Sequence, residues 1–552
     1  MTTPDTVADP QGLAHQRAVE QALRDVLGQR VASATPHPTL PAQGVGAQAH
    51  TPFASGADAS IYEPVWSTHP VPQHATQEQP PLWEEPATSP FFSGAFTLPA
   101  TPTATAVPGL PSATHTAGPE QAVPYFLRHS AVATDAAQAA AHSPARPGVG
   151  GYDVARIQAD FPILHQRVNG HKLIWLDNAA TTQKPRAVID ATSAFYERDN
   201  SNIHRAAHTL AARATDAFEG ARTKLQRFIG AREAAEIVFV RGTTEAINLV
   251  AQSYGRANIG AGDEILITTI EHHANIVPWQ LLARQTGAVL KVAPVNDRGE
   301  LLLDHFAALL SGRTKIVSVT HVANALGTIN PIEQIIALSH AAGVPVLVDA
   351  AQSSPHLPLN VAALDADFLV LSGHKIYGPT GIGILYGKRH LLEAMPPWQG
   401  GGHMIRDVTF AHTEFQGLPE KFEAGTPDIA GAVGLGAAVD YLQSIGLPAI
   451  AAHEHALLDY ATELFTRLPG VRIIGTAQAK ASVLSFIVDG YSVSDVAKHL
   501  DRHGIAARSG HHCAQPALRR FGVEATVRAS FGLYNSFDDV DALVAALGRL
   551  VR

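Results

Sequence analysis

A mainly parallel α/β fold in three layers, followed by a smaller α+β region, is predicted by three observations. From about Tyr152 onward, seven short and nearly continuous apolar runs rich in β-branched residues appear, and helix-length segments separate them. The third observation fixes where this pattern begins. Of the 37 prolines, 21 fall in residues 1–150, the first lysine is Lys172, and the composition changes between Gly148 and Gly151.

Residues 1–150 are Pro, Ala, Thr, Gln and His without sustained periodicity, so little apolar surface is available to offset the entropy of ordering. Most of this leader is expected to be disordered. Val19, Leu23, Val26 and Leu27 form the stripe of a short amphipathic helix. "IYEPVW" (61–66), "SPFFSGAFTLP" (89–99) and "VPYFL" (123–127) are aromatic islands. They are either docking motifs on a flexible tail or aromatics of a spacer that are incidental or fold back on the rest of the chain, with the Ala-rich stretch near 132–141 and Pro144 to Gly151 as the hinge.

The expected strands of the large domain (151–430) are 236–240, 264–268, 289–295, 315–322, 344–350, 367–372 and 383–387. The first residues after Tyr152 are expected to contribute to the small domain. That domain, 431–552, opens with long helical patterns, then strand 481–488, a helix near 492–503, strands 505–509 and 527–531, and a terminal helix from about Phe537.

Forty Lys and Arg against 49 Asp and Glu give a formal net charge of -9, the wrong sign for a chain that grips phosphate backbones, so nucleic acid is an unexpected partner. No apolar stretch approaches the ~20 residues of a membrane span, and the start lacks a signal-peptide pattern. One cysteine excludes an internal disulfide and any multi-thiolate zinc site, which favours a reducing, cytoplasmic setting.

The chemistry concentrates at strand ends. In "LVLSGHKIYGPTG" Lys375 follows a strand and precedes Gly378, Pro379 and Gly381, where a Schiff base with a carbonyl cofactor can be held; alone, it also reads as a surface lysine. Ser372 and His374 beside it can donate to a phosphate. Asp349 leaves an apolar strand and needs a cationic partner, such as a protonated pyridine nitrogen, while Gln352 can reach a ring hydroxyl. Pyridoxal 5'-phosphate fits both. Thr243 and Thr244 open a helix directly after a strand and Gly242, an arrangement suited to a phosphate, although a plain capping turn has the same form. His272 and His273 leave a strand on opposite sides, a poor chelating pair; one imidazole stacks on a flat ring or sits satisfied in the core, and no metal site is expected.

These fragments occur together and in order: "WLDNAATTQKP" (175–185), "NIHRAAHTLA" (202–211), "VRGTTEAINLVA" (240–251), "EHHANIVPWQ" (271–280), "THVANALGT" (320–328), "VLVDAAQ" (346–352), "SGHKIYGPTGIGILYG" (372–387), "FEAGTPD" (422–428) and "RSGHHCAQP" (508–516). The chain from Tyr152 to Arg552 resembles the class V, fold type I pyridoxal-phosphate enzymes, in particular the Suf-type (group II) cysteine desulfurases. The resemblance implies that Lys375 binds the cofactor covalently and Asp349 pairs with its pyridine nitrogen. His272 then stacks on the ring and acts in catalysis, Gln352 meets the ring hydroxyl, and Thr243, Thr244, Ser372 and His374 hold the phosphate. It further implies a two-fold homodimer in which Thr426 reaches the partner subunit's phosphate. Arg528, Asn324, Arg508 and His204 are the implied substrate-binding residues for L-cysteine.

Cys513 is the implied nucleophile, leaving alanine and an enzyme persulfide. A free thiol with pKa about 8.5 is mostly protonated at neutral pH, and His511, His512 and Arg508 stand near it in sequence to favour the thiolate. With no second cysteine, the sulfur must pass to an acceptor protein or small thiol. The leader resembles the N-terminal domains of cysteine desulfurases carried as cargo in family 2A encapsulin shells, which implies a shell-docking role and a place inside such a nanocompartment. Selenocysteine lyase shares the fold, lysine and cysteine, and a scaffold with vestigial catalysis is the alternative from another class.

Overall fold

The computed structural model describes residues 152–204 and 207–551, and the expectations for the leader lie outside them. The seven apolar runs form one sheet: β1 (Ile237–Val240), β2 (Glu264–Thr268), β3 (Val289–Ala293), β4 (Thr314–Thr320), β5 (Val346–Asp349), β6 (Phe368–Ser372) and β7 (Gly383–Gly387). Their spatial order is β1-β7-β6-β5-β4-β2-β3. Neighbours from β6 to β3 pair in parallel, whereas β7 lies antiparallel between β1 and β6. Successive residues feed two separate cores. Ile237, Phe239, Val346, Val348, Leu369 and Leu371 pack on one face, and Val238, Val240, Leu347, Phe368 and Val370 on the other. Both faces are therefore covered, which is why these strands read as unbroken apolar runs rather than alternating ones.

On the first face α1 (Thr209–Phe228) packs against the long helix Ile429–Ile445; Phe218 and Leu225 of the one and Leu435 and Val439 of the other belong to the same core. On the opposite face α2 (Thr243–Val250) and α3 (Val277–Thr286) contribute Ile247, Val250, Trp279 and Leu282. The following helix, Leu447–Thr466, spans two cores, since Ile450 belongs to the first and Leu457 and Leu464 to a third.

That third core underlies a four-stranded antiparallel sheet of β8 (Val471–Ile474), β9 (Val483–Val488), β10 (Arg508–Gly510) and β11 (Thr526–Ser530), in the order β8-β9-β11-β10. The helices Val493–Arg502 and Phe537–Leu550 cover it through Leu500 and Leu543. The expected strand 505–509 is two strands: Ile505–Ala506 pairs in parallel with Ile174–Trp175, and β10 turns into the four-stranded sheet. Leu176 joins this small core, while Ile157 of the helix Val154–Ala159 packs under the large sheet. No single helix among the described residues is long and apolar enough to cross a membrane.

Candidate active site

The C-terminal ends of β1, β2, β4, β5 and β6 lie at one edge of the sheet, where open α/β sheets form their crevices. A pocket of about 170 Å³ opens there. Lys375, in the turn just after β6, is half-buried, and desolvation pushes its ammonium down to about 8 against the pull of Asp349. Asp349 ends β5, is 3% exposed, and accepts the Ala351 N–H at 2.9 Å. Its carboxyl is pushed up by burial and drawn back by that N–H and by Lys375. A buried acid and a half-buried base thus complement each other across the pocket.

The phosphate-sized corner is built by β1, β6 and α2. Gly242 precedes α2 with φ +149° and ψ -178°, a conformation that only glycine adopts readily, and a Cβ there would lie 3.1 Å from the Ser372 hydroxyl. This cradle lets Ser372 Oγ accept the Thr243 N–H at 2.9 Å while donating to Thr243 Oγ1 at 2.9 Å. Thr244 and His374 complete the lining. Burial pushes the His374 imidazole down to about 4, so it enters as a neutral group.

His272 lines the pocket and is neutral as well, held down to about 3 chiefly by burial and secondarily by Lys375. Its Nδ1 accepts the Ala274 N–H at 3.0 Å, which assigns the ring proton to Nε2. His273 lies outside the lining, and its Nε2 accepts the Gln515 N–H at 3.3 Å. Gln352 spends one amide hydrogen on the Ala179 carbonyl at 2.5 Å.

The opposite wall comes from the small domain. Arg528 on β11 is 1% exposed, donates to the Asn324 carbonyl at 3.0 Å and to Asp177 at 3.2 Å, and keeps a charge although burial pushes it down to about 10. Arg508 on β10 reaches the other oxygen of Asp177 at 3.2 Å. Asp177 is a site residue that sequence reasoning missed: it sits in "WLDNAATTQKP", but its signal is two guanidinium partners more than 300 residues away. Asn324 donates its amide to the His512 carbonyl at 2.6 Å. Asn324 Oδ1 and Arg528 Nε are buried polar atoms without a protein partner.

Cys513 lines the same pocket as Lys375. It and His512 both have φ +53°, an unusual pair of left-handed residues outside glycine. Three bonds hold the turn: Asn324 to the His512 carbonyl, the His273 N–H to the Cys513 carbonyl at 2.7 Å, and His512 Nε2 to Thr526 at 2.8 Å. For His512 the expected role beside the thiol is corrected here. His512 is 5% exposed and burial pushes it down to about 3, while His511 uses Nδ1 to accept the Cys513 N–H at 3.1 Å. Arg528, Arg508 and Lys375 bring positive charge to the pocket that the thiol lines.

Two expected residues lie elsewhere. His204 does not line the pocket: Nε2 pairs with Glu219 at 3.0 Å and the ring stacks on His403 at 4.2 Å, so within one chain it is committed to α1 and is not brought to the substrate wall. Thr426 lines a second cavity with Arg241, Trp398 and Glu423.

The family model for "Aminotransferase class-V" matches residues 174–543. The chain belongs to the class-V aminotransferase family, among its cysteine desulfurases. It is 61% identical over 399 residues to a probable cysteine desulfurase of Mycolicibacterium paratuberculosis, a match covering 72% of this chain and 58% of that protein, so the chain spans less than two thirds of that relative's length. To a probable cysteine desulfurase of Vibrio cholerae it is 52% identical over 395 residues, 72% of this chain and 98% of the other. The crystal structure of the cysteine desulfurase CsdA (S-sulfonic acid) from Escherichia coli superposes with a TM-score of 0.68 at 42% identity, covering 72% of this chain and 98% of that one.

Class-V enzymes of this fold work with pyridoxal 5'-phosphate, and the residues present fit that group. The glycine-made cradle at Gly242, the half-buried Lys375, the buried Asp349 and the unpartnered Nε of Arg528 supply a phosphate corner, an amine, a carboxylate and a carboxylate-binding wall in one cavity.

Proposed function

We propose that this chain is a Suf-type cysteine desulfurase that converts L-cysteine to L-alanine and leaves the sulfur on Cys513 as a persulfide. The observation that carries the reading is that the only cysteine in the sequence lines the pocket of Lys375, flanked by two guanidiniums. Pyridoxal phosphate, when bound, supplies an electron sink that loosens bonds around the substrate's α and β carbons. Lys375 would hold it and, with its amine near pH 8, can accept and return a proton at Nζ. Asp349 would pair with the ring nitrogen, His272 would lie against the ring, and Gln352 would meet the hydroxyl. Ser372, Thr243, Thr244 and His374 would hold the phosphate.

Arg528 and Arg508 would receive the substrate carboxylate, orienting the substrate sulfur toward Cys513. The Cys513 thiolate attacks that sulfur; an S–S bond forms, the C–S bond breaks, and the carbon skeleton leaves as alanine after protonation. His272 and His512, both held neutral by burial, add no charge to the field of the arginines and Lys375. With no second thiol in the sequence to resolve the persulfide, the sulfur goes to an acceptor protein or small thiol.

The functional unit we propose is a homodimer, with Thr426 contributing to the partner's phosphate corner, consistent with its place outside the pocket of its own chain. Residues 1–150 would dock the dimer as cytoplasmic cargo inside an encapsulin shell; the support is their composition, their aromatic islands and the avidity of paired weak motifs.

Replacement of Cys513 by Ala tests the reading. The variant is expected to keep its cofactor yet form neither persulfide nor alanine from L-cysteine; sustained turnover by pure Cys513→Ala rejects the assignment. Parallel assays with selenocysteine separate desulfurase from selenocysteine lyase.

A further inference from the structure

At the crevice, β2 and β4 stop pairing before they end. Their ladder runs from Glu264–Thr314 to Leu266–Val317, which leaves Thr268 and Thr320 at the strand ends beyond it. The side chain of Glu271, at 0% exposure, fills the gap. One carboxyl oxygen lies 2.6 Å from the Thr268 hydroxyl, and the other accepts the Asn275 amide at 2.7 Å. Both oxygens approach the Thr320 N–H, at 2.9 and 3.1 Å, in place of the carbonyl that a continued ladder would offer. Asn275 is anchored in turn by the Trp279 indole at 3.0 Å and the Ser318 hydroxyl at 2.5 Å. A single acid thus joins β2, β4 and the turn His273–Asn275 that leads into α3. His272, the pocket imidazole, is the residue between that acid and that turn.

The geometry points to Glu271 as a positioning residue, a carboxyl clip that fixes the splayed ends of β2 and β4 and thereby where His272 presents its ring. The proposal rests on the reading of His272 as the residue against the cofactor's face. Burial, with Asp349 nearby, pushes the Glu271 carboxyl up to about 8. At pH 7 it is then mostly neutral and places no second negative charge beside Asp349. A glutamine reproduces this, since its oxygen can accept from Asn275 and Thr320 while its amide donates to the Thr268 hydroxyl.

The test uses the full-length, cofactor-loaded protein and its visible circular dichroism, which reports the asymmetry of the cofactor's surroundings independently of turnover, together with kcat and KM for L-cysteine. Glu271→Ala should change the dichroic band in the same direction as His272→Ala and lower kcat by about ten-fold or more, with KM within about two-fold. Glu271→Gln should restore both. Should Glu271→Ala not fold, Asn275→Ala, which removes one arm of the clip, is expected to shift the band in the same direction by less. A wild-type band in whichever of these two variants folds overturns the clip, as does a Glu271→Gln variant as impaired as the alanine. An unchanged band in His272→Ala overturns the proposal at its premise, and so separates that failure from a failure of Glu271.

Discussion

Lys375 shows how burial sets chemistry at the scale of one residue. The side chain is half-buried, and desolvation pushes its ammonium down to about 8, well below the 10.5 of an exposed lysine. Between these two values the unfolded chain binds more protons than the folded one, so the Lys375 contribution to the stability of the cofactor-free protein rises with pH across that window. Lys375→Met lacks this titration. In thermal unfolding without cofactor, the methionine variant should be more stable than wild type near pH 7, and the gap should close as pH approaches 10; a constant gap contradicts the assigned shift. The positions of Lys375, Asp349 and Cys513 were legible in the sequence because each stands at a strand end or glycine-bounded turn. Asp177 and Glu271 were not, since a carboxylate's meaning depends on partners: Arg528 and Arg508 for the first, and the backbone of β4 for the second. His512 beside Cys513 misled for a related reason. Proximity in sequence suggested a charge on His512 that its burial removes.

At the scale of elements, the seven large-sheet strands emerged from apolar runs, but their directions did not. Periodicity is blind to pairing, so β7 reads like its parallel neighbours although it runs against them. Strand β8 escaped notice because its burial alternates weakly over only four residues at the sheet's edge. The antiparallel β7 has a consequence for the phosphate corner. Gly383, opposite Val240 and Ser372, brings the backbone so close that an added Cβ would lie 2.6 Å from the Cα of Gly242. The turn between β1 and α2 is therefore tightly constrained. Gly242→Ala should cost about 1–3 kcal/mol of local strain, corresponding to roughly five- to 150-fold weaker pyridoxal phosphate binding if the strain falls on the cradle. Equilibrium titration of the apo variant checks this, and wild-type affinity would show that the cradle does not depend on the glycine.

At the scale of the whole molecule, the proposed catalysis and the proposed docking fall in different parts of the chain. All the residues of the pocket lie between Ala179 and Arg528. Removal of residues 1–150 should therefore leave cysteine turnover within about two-fold and abolish co-purification with a co-expressed encapsulin shell; undiminished co-purification contradicts the docking role. The pocket itself is closed by joining two domains, with Arg528 of the small sheet bonded to Asn324 and Asp177. Such convergence gives a lone thiol its purpose. The most direct measurement is peptide mass mapping of the full-length, cofactor-loaded protein after one equivalent of L-cysteine, with no acceptor or reductant present. The expected result is one added sulfur atom on the peptide containing Cys513, matched by one alanine released; alanine formed while that peptide stays unmodified would contradict the assignment.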